Sequence, residues 1–504
     1  MINRPFFFTT AALIGIFLSI SFCYSQETTI GQSYQITSVE YDIKGSTRLF
    51  PLTKAVPIDQ KKIFPDKIKF DAYIKDIELQ FQNQRVFEST KIDTEFSEAG
   101  NNSIVSVKLI IHTVDTWNII VLPKPGFDSN KGFELKLKLK NYNFLGSMQV
   151  LDGDLSYTLD NQQKSEFSTN LNFNIPFSYK GYALSWNNEL SATFPLNEKP
   201  EYNFKTGLNI EIPIAFTKIV FGFDQALIIN DRNATALYLD DPYYFQERMY
   251  SRIPITLVKF SQIGDLVWAP ETAIRTNLAV GGIHHSDLQG PEVTWGHSLS
   301  LGRVNWFGNF RQGFNSSLSN SYTYNFFTKN QISTRIDGTV TGYSSFFDRF
   351  GIYSQLIGFY NFNNSISSSI GNSIRGILND RISSDTAFSL NLDLPVKVLH
   401  ADFLEATGVK WTRLIGFEAQ LSPFFDMMLT HDTVTGRYYS FKDGWYSGGF
   451  EIIIYPVKMR SLYARISAGY DLEEMIKNGG KLPDRAERDG CLTHEYFFGL
   501  GLQY

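Results

Sequence analysis

The chain has 504 residues, a formal net charge of −5 and 19% charged residues. That length suggests roughly three ordinary domains, and the mildly acidic balance offers no basic footprint for nucleic acid. Hydrophobic residues make up 43%, which argues against disorder, and two cysteines exclude a disulfide scaffold. The unusual figure is aromatic content: 43 Phe, 26 Tyr and 7 Trp, or 15%. A mean hydropathy of −0.16 excludes a polytopic helical membrane protein.

Residues 1–25 read as a secretory signal. Arg4 precedes an apolar run from Phe6 to Phe22, and small residues at Cys23 and Ser25 stand before Gln26. Cleavage is expected between Ser25 and Gln26. A lipoprotein signal using Cys23 and an uncleaved anchor are the alternatives. The remaining cysteine, Cys491, is expected in a loop. No later stretch reaches the 18 or so apolar residues of a spanning helix.

Residues 34–115 read as a small α/β domain. Gln35–Lys44 alternates Ile36, Val39, Tyr41 and Ile43 toward a strand that ends at Gly45. Asp71–Gln84 places Ile74, Ile77 and Phe81 on a helical stripe. A second strand follows near Ile92. Glu98–Asn102 reads as a turn, and Val105, Val107, Leu109 and Ile111 mark a third strand. A free sheet edge can capture an extended peptide by strand addition. A spacer or plug is the blander reading.

Residues 116–504 read as a long antiparallel array. Gly132–Lys140 sets Phe133, Leu135, Leu137 and Leu139 against Glu134, Lys136, Lys138 and Lys140. Similar segments run over Ala183–Phe194, Phe204–Ile214, Ile332–Tyr343, Ile352–Phe362, Ala387–Leu394 and Ser461–Tyr470. Their length suits a membrane strand of about 9–11 residues. Short connections such as Asn143–Ser147 alternate with long ones such as Asp231–Glu247 and Asp471–Asp489, as in outer-membrane barrels. The expected fold is therefore mainly β: a sixteen-stranded transmembrane barrel, with eighteen strands as the alternative, behind one α/β domain. Glu495–Tyr504 sets Tyr496, Phe498, Leu500, Leu502 and Tyr504 on one face, and Glu495, Phe497, Gly499, Gly501 and Gln503 on the other.

Six features carry a family resemblance. Gly499, Leu502 and Tyr504 are similar to the C-terminal signal of outer-membrane barrels, with Phe497 where that signal prefers a polar residue. Ser373-Ile-Arg-Gly376, then Gln420-Leu-Ser-Pro-Phe-Phe-Asp426, then Gly448–Pro456 resemble, in this order, the closing third of the BamA/TamA superfamily. The motif of that family's inward loop ends in an aromatic, where this chain has Ile377. Leu79–Ile92 is similar to the helix-to-strand joint of a POTRA domain, and Pro123–Gly146 resembles the start of the family's barrel.

The resemblance implies a single POTRA domain in the periplasm and a barrel in the bacterial outer membrane. It implies a loop carrying Ile374, Arg375 and Gly376, folded into the lumen and pinned by Asp426. It also implies a seam at Gly499 and Gly501, where a substrate strand could pair. Expected partners are the lipid bilayer and unfolded outer-membrane or secreted polypeptides, with periplasmic chaperones or accessory lipoproteins as further candidates. No cofactor or enzymatic activity is expected. A dedicated two-partner-type secretion pore and a porin-like channel are the rival functions. A hydrolase would need a catalytic set, and the nearest cluster, His284, His285 and Asp287, reads better as a solvated loop.

Overall fold

The computed structural model describes residues 32–502 except 85, 98–103, 129–131, 160–163, 232–239, 261–262, 329–331, 363–366, 368–369, 404–406, 410–415, 433–434 and 457–461. The signal segment with Cys23, the Glu98–Asn102 turn, the middle of the Asp231–Glu247 connection and Tyr504 lie outside the described residues.

Ser33–Lys44 and Ile104–Asp115 are the inner strands of a four-stranded sheet, with Ile63–Phe64 at one edge and Phe87–Phe96 at the other. Strict alternation along Ile104–Asp115 buries Val105, Val107, Leu109 and Ile111. The helix Lys67–Gln84 starts earlier than its apolar stripe suggests, and it fully buries Phe70, Ile77 and Phe81 rather than Ile74. A helix over Leu49–Ala55 was not expected. Its Pro51 sits in the first turn, where a missing N–H goes unused, and Leu52 is buried beside it.

Close contacts divide the chain into two compact units. Among the described residues, the smaller holds 32–40, Asp59–Asp76 and Asp93–Ile110. Its core is aromatic: Tyr34 stacks on Phe70 at 5.6 Å between ring centroids, and Phe64 meets Phe70 edge-on at 5.6 Å. The larger holds Tyr41–Ile58, Ile77–Ile92 and everything from Ile111 on. Within it, the Asp115 carboxylate accepts from the Ser46 and Thr47 N–H groups at 2.7 and 3.0 Å, from Thr47 Oγ1 at 2.7 Å and from Asn143 Nδ2 at 3.2 Å. Gly146 lies against this joint at φ +70°, where an added Cβ would sit 1.9 Å from the Ser46 carbonyl.

From Ile119 to Leu502 the chain forms one closed barrel. Tyr243–Arg252 and Ile255–Phe260 share the neighbour Gly264–Leu278, so they are halves of one strand parted at Pro254. Thr386–Asp393 and Val396–Ala401 are likewise parted at Pro395. Proline has no N–H for the ladder, which is why each strand is interrupted there. Arg437–Tyr438 extends Trp445–Pro456 against the same partner. With each pair taken as one strand, the described barrel has eighteen strands, the alternative raised above, rather than sixteen. Five of them follow the Arg375 loop.

Period-two alternation gives the wall two faces. Outward, Leu421, Ile452, Ile466 and Phe498 are cross-strand neighbours and all exposed. Inward, Lys138 and Lys140 pair with Asp152 at 3.2 and 3.1 Å, and Arg248 pairs with Asp224 and Glu271 at 3.3 and 2.6 Å. Two-residue turns after Tyr179, Ile214 and Phe307 lie at the end where Ile119 starts, together with the long connection from Ala401 to Phe417; the connections from Ile229 to Tyr243, Asn361 to Thr386 and Asp471 to His494 lie at the other. No described helix is long and apolar enough to cross a membrane, which says nothing against crossing by strands.

Candidate functional site

The connection between Asn361 and Thr386 returns along the inner wall. Short 3-10 turns at Ile370–Ser373 and Asn379–Arg381 shape it, and Ser367 bridges Ser384. Ile370, Ile374, Ile377 and Ile382 are buried with Ala387, Met428 and Trp445 in one apolar cluster. Ile377, in the aromatic's place, is wholly inside that cluster. Burying four isoleucines stabilises the loop by roughly 1.5–3 kcal/mol each before ordering entropy is charged.

The cluster presents Arg375 to the wall. Its Nε and Nη2 donate to the two oxygens of Asp426 at 2.8 and 2.6 Å, a bidentate fork, and its backbone N–H adds a third bond at 2.8 Å. Asp426 is 0% exposed. Nη1 reaches Asp393 at 2.6 Å and Glu451 at 3.3 Å, and the guanidinium carbon lies 3.9 Å from the centroid of the Phe424 ring. Glu451 is also 3.7 Å from Arg465. A guanidinium suits this place because its planar fork serves several carboxylates at once, which an ammonium cannot do.

Gly376 explains the close approach. It has φ +85°, and an added Cβ would lie 2.5 Å from Tyr470 N and 2.6 Å from Gly469 C. Gly469 reciprocates: its Cβ would stand 2.7 Å from Gly376 Cα. The Gly376 N–H donates to Glu495 on the last strand, His494–Leu502, at 3.0 Å. The loop therefore touches all five closing strands, through Asp393, Asp426, Glu451, Gly469 and Glu495.

The seam lies between that last strand and the first, Ile119–Asp128. It is the most sparsely packed of the full-length strand pairs among the described residues. Gly499 faces the lumen and leaves room for the Phe497 ring, 2.5 Å from where a Cβ would stand. That ring lies 4.7 Å below Arg465 and 6.0 Å from Lys124 of the first strand. An aromatic thus fills a place where a polar residue was expected, because two cations cover its face. Gly501 and Leu502 pair with Tyr463 and Leu462.

Sequence reasoning picked out Arg375 and Asp426 and missed Asp393, Glu451 and Glu495. The available signal was an acid on the inward parity of several closing strands. It also missed Arg381, which is almost wholly buried and pairs with Asp471 at 3.0 Å and Asp489 at 2.7 Å. Elsewhere, Asp241 accepts from the His284 and His285 N–H groups at 2.9 and 2.8 Å and from the His284 ring at 3.2 Å. Among the described residues no group of His, Cys, Asp and Glu is set to hold a metal ion. Cys491 lies in the long connection after Asp471, half-buried.

These features define a class: a large closed antiparallel barrel with a small α/β sheet domain and a lumen loop bound to its closing strands. No family model matches the chain, and no curated protein does. Among solved structures, CdiB from Escherichia coli is similar in fold, with a TM-score of 0.51 and 10% identity over 94% of this chain and 76% of that one. CdiB from Acinetobacter baumannii gives 0.49 and 12% over 94% and 74%. BamA from Haemophilus ducreyi lacking POTRA domains 1–3 gives 0.40 and 11% over 93% and 84%.

Proposed function

We propose that the protein is an outer-membrane factor of the BamA/TamA type, which inserts or exports polypeptides by capturing them as strands. The sparsely packed seam, with the lumen loop bound across the strands that lead to it, carries this reading. An exposed apolar outer face is stable against hydrocarbon and unfavourable in water, by roughly 25 cal/mol per Å². The α/β domain is then a single POTRA domain in the periplasm, and Phe87–Phe96, as the edge strand of its sheet, is where an extended chain would add by strand pairing. The seam offers the same chemistry at the membrane. Handing a strand from one edge to the other needs no nucleotide, and no catalytic step is assigned.

A dedicated secretion pore is the second reading, favoured by the fold likeness to CdiB, a two-partner secretion transporter. A general porin is disfavoured by the lumen loop and the added domain. Photocrosslinking in cells from Glu88 or Lys91 on the edge strand tests the proposal. Capture of many nascent barrel proteins supports assembly, and capture of one passenger supports the pore. No polypeptide adduct under growth conditions would contradict both.

A further inference from the structure

The connection 472–493 between the last two strands is folded onto the lumen loop, and Arg381 is the link. Its side chain is 1% exposed. Nε donates to Asp489 at 2.7 Å, Nη1 donates to the Leu492 carbonyl at 3.2 Å, and Nη2 lies 3.0 Å from the Asp471 carboxylate. Asp471 ends the strand Leu462–Asp471, and Leu492 stands just before the last strand, His494–Leu502. One guanidinium therefore holds both arms of the closing hairpin, at the far end of the barrel from the start of Ile119–Asp128. The Asp471 N–H donates to the Thr493 carbonyl there at 2.8 Å.

The connection has a structure of its own. Buried Glu474 accepts from the Glu487 N–H at 2.9 Å. Arg488 donates to the Gly444 and Asp443 carbonyls at 3.4 and 3.3 Å, and its guanidinium carbon lies 3.7 Å from the centroid of the Trp445 ring. Arg381 lies 5.3 Å from the same ring. The bond from Gly376 to Glu495 attaches the loop near the beginning of the last strand. All of these attachments fall at the far end. Toward the other end the last strand carries Gly499 and Gly501, which bring no side chain to pack, beside a sparsely packed first strand. Local opening starts where contacts are fewest.

We propose that Arg381 pins the far end of the seam, so that the first and last strands part from the end where Ile119 starts. The inference rests on the reading that the seam parts to admit a strand. With the pin in place, the half of the last strand that holds Gly499 and Gly501 swings while the half at His494 stays bound to the loop. A captured strand enters beside Gly499 and pairs onward toward His494. Without Arg381, Asp471 is a buried acid that has lost its cation, and the far end is no longer held. The seam is then free at both ends.

The test uses the full chain in native membranes, with Cys491→Ser as background. A short reducible thiol crosslinker joins Arg381→Cys to Asp489→Cys in one variant and Lys124→Cys to Gly499→Cys in another. Insertion or export should persist with the far end joined and be lost with the near end joined. In a planar bilayer, the purified Arg381→Gln barrel should open about tenfold more often than the unaltered one. Heat-modified gel mobility shows that the barrel is folded. Where Arg381→Gln does not fold, Asp489→Asn carries the measurement, because Asp489 is 24% exposed and Asp471 only 4%. Loss of activity from either joined end alike, or unchanged opening in a folded variant, would overturn the proposal. Full activity with the near end joined would instead overturn the reading beneath it.

Discussion

The backbone N–H of Gly376 and the carboxylate of Glu495 are hydrogen-bonded at 3.0 Å, which fastens the tip of the lumen loop to the last strand of the barrel. A bond from a neutral donor to a charged acceptor contributes about 1.5–3 kcal/mol. Glu495→Ala should therefore loosen the loop and lower the temperature at which the folded band is lost in heat-modified gel mobility. Glu495→Gln keeps a side-chain acceptor and should fall between the two. Equal loss from both would mean that the carboxylate serves the strand and not the loop.

Arg375 meets three carboxylates, and Asp426 has no access to water. Removing one partner of a buried pair leaves the other uncompensated, at about 3–5 kcal/mol. Arg375→Ala and Asp426→Ala should each reduce heat resistance by that order. Arg375→Lys should recover little of it, because an ammonium cannot span the fork. A charge swap, Arg375→Asp with Asp426→Arg, should recover part of the loss. Single changes that leave gel mobility and assembly unaltered would dismiss the pair as a structural anchor.

Gly376 and Gly469 stack backbone on backbone. Gly376→Ala adds a Cβ at positive φ and within 2.5 Å of the Tyr470 nitrogen. Strain of about 1–3 kcal/mol is expected from the dihedral alone, with the clash on top. Gly469→Ala meets only the clash, at 2.7 Å from Gly376 Cα. Protease nicking within 362–385 should rise with both and rise further with Gly376→Ala.

At the far end of the barrel, burial would raise the pKa of Asp241, but the His284 and His285 N–H groups and the His284 ring outweigh it and hold it below the usual carboxylate range. A depressed folded-state pKa contributes stability above the unfolded value of about 3.9, and that stability is lost as pH falls through the folded value. Nicking of the connection 279–291 should therefore increase in acid, below about pH 4. Asp241→Asn should show the loosened behaviour at neutral pH and little further change in acid.

The barrel was legible because an apolar outer face and a polar lumen impose a period of two on each strand, so Phe133, Leu135 and Leu137 separate from Lys136, Lys138 and Lys140 without reference to any neighbour. The strand count was harder to read: two-residue turns such as those after Tyr179, Ile214 and Phe307 barely interrupt the alternation, so neighbouring strands run together in the sequence. Arg375 and Asp426 stood out because short motifs surround them. Asp393, Glu451 and Glu495 did not, since each is one inward acid on an ordinary strand and only closure brings them to the same loop.

The seam decides the account. In a Cys491→Ser background, Lys124→Cys on the first strand and Gly499→Cys on the last, both facing the lumen, would be joined by a short reducible thiol crosslinker. Insertion or export of substrate would then be measured before and after reduction. The account predicts that activity is lost while the strands are joined and returns on reduction, with the barrel folded throughout. Undiminished activity in the joined barrel would contradict it.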